Sequence, residues 1–174
     1  GNVLLTKIGS GTLTVINSTT TSARTGTNQI DAGTLRVQAA TAISPVGTGT
    51  YALNGGTLSL GFDATYLMTN VVNVLSNSTI IADRASSGAG GTLLTLSTLT
   101  IGGNTLTVKA GDNVTSGTIG LTLGAVNIGG VSMKPGNPTF DVQSSTNAAT
   151  TLTLGALSDQ AIAPRTLTFQ NSGT

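Results

Sequence analysis

The sequence predicts an all-β chain wound as a single-strand solenoid, the parallel β-helix, and three observations carry that expectation. Gly11-Thr12-Leu13-Thr14-Val15 returns as Gly33-Thr34-Leu35-Arg36-Val37 and as Gly56-Thr57-Leu58-Ser59-Leu60, at steps of 22 and 23 residues. A repeat of that length marks one supersecondary unit that cannot bury its apolar face alone and must stack on its neighbours. Apolar residues also alternate with Thr or Ser in short runs bounded by Gly and Asn, which is the period-2 pattern of half-buried strands. Finally, β-branched residues and Gly dominate, and no stretch keeps a 3.6-residue apolar period for three turns. A β-sandwich is the alternative, since turn signals fall about every 8 to 12 residues in the later half. Nothing in a sandwich, however, makes Gly-Thr-Leu return once per coil.

Strands are expected over residues 3–7, 12–15, 34–38, 50–54, 57–60, 71–75, 79–82 and 92–96. Further runs follow at 98–101, 105–109, 118–123, 126–128, 139–143, 151–154 and 166–170. In 12–15, Leu13 and Val15 share one face and the two threonines the other, so the inner face is aliphatic and the outer hydroxylic. Gly9-Ser10-Gly11, Asn54-Gly55-Gly56, Gly88-Ala89-Gly90-Gly91 and Ile101-Gly102-Gly103-Asn104 mark turns. Residues 39–44 are expected to form a loop with at most one short helical turn, ended by Pro45. Beyond Leu60 the phrase reappears at Gly91-Thr92-Leu93, Asn104-Thr105-Leu106 and Gly117-Thr118-Ile119, with the leucine-equivalent positions 35, 13 and 13 residues apart. Some of these phrases must therefore occupy different faces of one coil. About 20 to 24 residues per coil and about 4.8 Å per rung predict seven or eight coils and a stack of about 35 to 40 Å. The whole of 1–174 reads as one solenoid segment, with loops protruding at 85–91 and 134–138.

Charged residues make up only 7% of the chain, aromatics 3%, and the 33 threonines about one position in five, against about 25% charged residues in an average domain. The formal charge is +1, and the seven Lys and Arg are scattered singly, so no basic patch awaits a phosphate backbone and nucleic acid is not an expected partner. No apolar run approaches the roughly 20 residues that cross a bilayer as a helix. Cys and His are absent, which excludes disulfides, thiolate chemistry, zinc sites built on Cys or His and any His-based catalytic triad.

Leu5-Thr6-Lys7-Ile8-Gly9-Ser10-Gly11-Thr12-Leu13-Thr14-Val15, then Ile30-Asp31-Ala32-Gly33-Thr34-Leu35-Arg36-Val37, then Asn54-Gly55-Gly56-Thr57-Leu58-Ser59-Leu60, resembles the passenger-associated transport repeat of bacterial autotransporter-type surface proteins. The resemblance covers about residues 4–60 and departs from the family pattern in Ser22-Ala23-Arg24-Thr25-Gly26, where an aromatic usually precedes the glycine. It implies a right-handed parallel β-helix on a secreted or surface-displayed bacterial protein, in a family whose members serve as stalks, adhesins or fibre segments. The chain opens in mid-phrase and closes on a complete strand at 166–170 without charged capping, so it is expected to be one tile or fragment of a longer extracellular chain. Uncapped coils invite copies of the chain, or adjoining repeats, to add end to end.

Catalysis is not expected. The acidic residues are Asp31, Asp63, Asp83, Asp112, Asp141 and Asp159, scattered singly, whereas glycan cleavage needs two or three converging carboxylates. No cofactor is expected either. Neither Gly9-Ser10-Gly11 nor Gly88-Ala89-Gly90-Gly91 carries an Asp, so calcium-binding β-roll chemistry is not indicated, Asp112 being the least poor metal candidate. No Gly-rich segment runs into Lys-Ser or Lys-Thr as a phosphate loop requires.

Thr-x-Thr pairs carry the second functional expectation. Thr12 with Thr14, Thr105 with Thr107 and Thr151 with Thr153, together with Thr34 and Thr57, present outward methyl and hydroxyl groups that form a candidate face for glycans, host surfaces or ice. Stacked flat ladders of this kind resemble the ice-binding faces of some β-solenoids, although Arg36 and Ser59 interrupt the series. Thr is also the polar residue best suited to a strand. Asn17-Ser18-Thr19, Asn77-Ser78-Thr79 and Asn113-Val114-Thr115 fit the N-glycan acceptor pattern, as chance allows in so Thr-rich a chain.

Overall fold

Strand, corner and strand form the repeating unit, and a computed structural model shows how the units stack, describing residues 1–16, 21–130, 133–160 and 163–173. Rung one holds β1 (Leu5–Lys7) and β2 (Thr12–Ile16), and rung two β3 (Asn28–Ile30) and β4 (Thr34–Ala39). Rung three adds a third side, with β5 (Tyr51–Leu53), β6 (Thr57–Phe62) and β7 (Tyr66–Leu67). Rung four comprises β8 (Val72–Val74), β9 (Ser78–Asp83), β10 (Gly88–Ala89) and β11 (Leu93–Leu96). Rung five repeats that plan with β12 (Leu99–Ile101), β13 (Thr105–Ala110), β14 (Val114–Ser116) and β15 (Thr118–Leu123). Rung six has β16 (Val126–Ile128), β17 (Thr139–Gln143) and β18 (Ala149–Leu154), and rung seven β19 (Leu157–Asp159) and β20 (Thr168–Gln170). No helix occurs among the described residues.

The architecture is the expected parallel β-solenoid. Sheet A runs β1-β3-β5-β8-β12-β16-β19, sheet B runs β2-β4-β6-β9-β13-β17-β20, and sheet C runs β7-β11-β15-β18, with β10 and β14 forming a short fourth ladder. Every strand pairs in parallel with its counterpart one coil away. Thr12 lies opposite Thr34, and Thr34 opposite Thr57, so the three stand in one column one coil apart. Seven rungs are joined by six steps, which at about 4.8 Å each give a stack of about 29 Å.

Alternation decides which residues are buried. In sheet B, Leu35, Leu58 and Ile80 succeed one another in register and are wholly buried, with Val108 continuing the column. The adjacent column passes from Val37 and Leu60 to Ala82 and Ala110. The side chains shrink where sheet C arrives, because Leu94, Leu96, Ile119, Leu121 and Leu123 point inward from that third side and join the same continuous core. Each such leucine contributes about 1.5–3 kcal/mol by leaving water. One polar flaw sits in sheet A, where Asn28 and Tyr51 are stacked neighbours and both are wholly buried. Asn28 accepts a 3.1 Å hydrogen bond from Arg24, but its Nδ2 and the Tyr51 hydroxyl have no partner among the described residues.

Two corners explain most of the turn glycines. Between sheets A and B, Gly9, Gly33 and Gly55 take φ of 73°, 64° and 110°, a left-handed conformation that side chains disfavour. Lys7 seals this corner, its ammonium donating to the carbonyls of Ile8, Gly9 and Ala32 at 2.7, 2.6 and 3.1 Å. At the corner entering sheet A, the position two residues before each strand is Gly26, Gly49, Asn70, Ser97, Gly124 and Gly155 in successive coils. A Cβ on Gly49 would overlap the Gly26 carbonyl oxygen, and one on Gly155 that of Gly124. Where Asn70 replaces glycine, its buried amide donates to the carbonyls of Gly47 and Gly49 at 3.0 and 2.6 Å.

Three details differ from expectation. Residues 39–44 form no helical turn: Ala39 completes β4, and the turn lies at 45–48, where Pro45 suits the leading position. The 85–91 segment contains β10, which pairs with β14 and is tied down by Arg84. The coil length also changes along the stack, and although the 174 residues make seven rungs, within the expected seven or eight, the stack of about 29 Å is shorter than the expected 35 to 40 Å. The expected loop at 134–138 is found, within the long connection between β16 and β17.

Candidate functional site

Outward side chains of sheet B form files along the stack. Thr12, Thr34, Thr57, Thr79 and Thr107 make an unbroken file over five rungs, continued by Asp141 and Gln170. The neighbouring file reads Thr14, Arg36, Ser59, Ile81, Lys109 and Gln143. Thr105 begins a third, with Thr139 and Thr168. Six of the eight candidate threonines thus share one face, while Thr151 and Thr153 lie on sheet C, beside Gly120 and Thr122. Thr79, Thr122 and Thr139 were not among the candidates; each enters a file only through the register, which a strand's own residues do not reveal.

Beside the second file runs a groove of about 560 Å³ along the outer edge of sheet B. Its lining draws on every rung, from Thr12 in the first to Gly173 in the seventh. Arg36 lies along the axis on its floor, donating to Gln38 in its own strand at 2.9 Å, to Ser59 one coil on at 2.9 Å, and to Asp83 two coils on at 2.6 Å. A further bond reaches the Arg84 carbonyl at 2.7 Å. Asp83 is 4% exposed, and its other oxygen accepts from the Asn113 backbone at 3.1 Å. Gly61 has no Cβ where the Arg36 guanidinium passes.

Asp83 and Asp112 line the same groove, and Asp141 stands in the adjoining file. Asp83 is taken up by Arg36 and Asn113 and does not face the groove freely. Asp141 accepts from Gln143 at 2.6 Å and from the Ser172 backbone and hydroxyl at 2.8 and 2.5 Å. Burial works against its ionisation, yet the bonds from Ser172 and Gln143 prevail and hold the carboxyl below the usual range. Asp63 behaves alike: burial raises it, while Ser86 and the Arg84 guanidinium at 3.3 Å bring it down overall. Asp31 sits in a ladder, accepting from Gln29 at 2.8 Å and Asn54 at 2.9 Å, which lower its carboxyl. No group of three or more potential metal ligands occurs among the described residues.

Lys109 and Asp112 are the exposed charges of the groove, and neither side chain forms a hydrogen bond or ion pair with another described residue. Of the glycan acceptor patterns, Asn113 spends its amide on the carbonyls of Arg84 and Ala85 at 2.9 and 3.3 Å. Asn77 is exposed, its carbonyl receiving the Thr105 backbone N–H at 2.9 Å. Asn17-Ser18-Thr19 lies outside the described residues. No helix among the described residues is long and apolar enough to cross a membrane. Comparisons with family models, with curated proteins and with solved structures find no match.

Proposed function

We propose that the chain is a structural, non-enzymatic segment of a bacterial extracellular fibre or surface adhesin stalk. The observation that carries this reading is the pair of seven-stranded parallel sheets running the full stack around one continuous core. Such a body resists bending and proteolysis because each rung is bonded to the next across its whole width. The resemblance of residues 4–60 to the autotransporter passenger repeat, the absence of Cys and the low charge support the extracellular bacterial setting. Both terminal rungs display apolar side chains, Ile8 and Ile16 at one end and Leu157 and Phe169 at the other, which supports end-to-end addition of copies or adjoining repeats.

Electron microscopy combined with limited proteolysis tests this reading. Rods or filaments with an axial unit of about 34 Å, seven rungs at about 4.8 Å each, and no cleavage within the paired strands are expected. Rapid native cleavage inside sheets A and B would remove the stalk function.

A second reading, binding through a Thr-rich face, is favoured by the groove beside the sheet B files. The Thr file itself is a single column, flanked by Arg36, Ser59, Ile81 and Lys109 where an ice-binding ladder calls for a second row of Thr. Glycan recognition therefore fits this face better than ice does.

A further inference from the structure

We propose that the groove along sheet B binds a linear, uncharged glycan lying parallel to the stack axis. This rests on the second functional reading and is independent of the stalk reading. Shape is the first argument. About 560 Å³ spread along a stack of about 29 Å is a shallow trough, which suits an extended polymer and not a compact ligand.

Charge is the second argument. Arg36 and Asp83 neutralise each other at 2.6 Å, leaving Lys109 and Asp112 as one charge of each sign. A polyanion gains at Lys109 what it loses at Asp112, and a polycation the reverse, so the groove selects for neither sign. A polyhydroxyl chain uses both, because the carboxylate accepts from sugar hydroxyls while the ammonium donates to sugar oxygens. Ile81, half-buried between Ser59 and Lys109, supplies an aliphatic platform for a ring's C–H face. Gln143 is already held by Asp141 and Ser172, so little ordering is required of it on binding.

Periodicity is the third argument. Rungs advance by about 4.8 Å, near the advance per ring of an extended glycan, so successive sugars meet successive rungs. A peptide strand advances about 3.3 Å per residue and falls out of phase with them.

The test is an amide NMR titration of the 174-residue chain with four probes: β-1,4-linked and α-1,4-linked glucose hexasaccharides, a galacturonate hexasaccharide and a Gly-Ser dodecapeptide. The extended β-1,4-linked glucose hexasaccharide should shift the amides of Lys109, Asp112, Ser144 and Thr146 and leave Thr95 and Thr122 of sheet C unmoved, whereas shifts from the coiled α-1,4-linked one alone would overturn the proposal. Lys109→Ala should weaken that binding about tenfold by removing one charge-assisted bond, with the thermal midpoint unchanged. Shifts produced only by galacturonate or the peptide would overturn the proposal, as would affinity that Lys109→Ala leaves intact. Hexasaccharide shifts confined to sheet C would sink the groove while sparing a glycan-binding face. No shifts from any probe would sink both and leave the stalk untouched.

Discussion

Rungs one to four and rungs five to seven solve the same stacking problem with different amounts of chain. In the Thr file, Thr12, Thr34, Thr57 and Thr79 succeed one another after 22, 23 and 22 residues, whereas Thr107, Asp141 and Gln170 follow after 28, 34 and 29. Rungs one, two and seven have one strand each in sheets A and B, sheet C is present from rung three to rung six, and rungs four and five carry a fourth strand. Sheet A is indifferent to the change and keeps three paired residues at every step from β1 to β19. Coil length is thus a property of the corners and the third side, while pitch and register belong to sheets A and B.

Core truncation should probe the comparison most strongly. Leu58→Ala and Leu121→Ala remove wholly buried side chains from the two regions, and each should cost about 3 kcal/mol in urea unfolding. Because a stack couples nearest neighbours, hydrogen exchange should show protection lost first in rungs two to four for Leu58→Ala and in rungs four to six for Leu121→Ala. Equal loss everywhere would mean that the two regions behave as one.

Corner substitutions should come next. Gly49→Ala and Gly124→Ala each force a methyl onto a backbone carbonyl of the preceding coil, and about 2–3 kcal/mol is expected for both. Ser97→Ala at the same corner should stay within about 0.5 kcal/mol. A large difference between the two glycines would show that the corner is not common to both regions.

Arg36 clasps rungs two, three and four, where the coils begin to widen. Arg36→Met leaves the nearly buried Asp83 without its cation and should cost about 2 kcal/mol, less than for a fully buried pair because the arginine is partly exposed. Its double-mutant partner is Asp83→Asn; a coupling energy near zero would refute the clasp. Smaller still, and of opposite sign, Tyr51→Phe removes an unpartnered buried hydroxyl from the early region and should stabilise by about 1 kcal/mol.

Acid provides the mildest comparison. Asp31 in the early region and Asp63 and Asp141 further along all have folded values below the ordinary one. Their stabilisation is present above the unfolded value of about 3.9 and is lost as pH falls through the folded values. Circular dichroism during acid titration should show the last coils loosening, and Asp141→Asn should remove that step while leaving the Asp31 ladder in place.

The repeated phrase made the first coils legible because it encodes a corner and the strand that follows. Gly33 turns left-handed and Thr34-Leu35 then enters sheet B. The same chemistry serves another corner equally well: Gly91 and Gly117, at φ of 108° and 79°, lead Thr92-Leu93 and Thr118-Ile119 into sheet C. Glycine followed by Thr-Leu says that a strand begins but not on which side, which is why the 35- and 13-residue spacings looked irregular. Register adds to this, since Leu106 pairs with Ser78 and it is Val108 that continues the Leu58–Ile80 column. Strands β3, β7, β10, β14 and β19 have two or three residues and no apolar pair flanking a central residue, whereas the equally short β5, β8, β12 and β16 carry that pair and are legible. The groove was illegible for a related reason, because Arg36 and Asp83 are 47 positions apart and meet only once two coils have been laid down in register.

The file of small residues at the entrance to sheet A, from Gly26 through Ser97 to Gly155, has an evolutionary consequence. It fixes where each coil must return but not how far the chain wanders beforehand. Insertions between sheets B and A, or in the long connection before β17, can therefore accumulate without altering the distance from one rung to the next. A lineage carrying this frame can lengthen its side walls and diversify what they touch, while the vertical dimension of the body changes only by whole rungs.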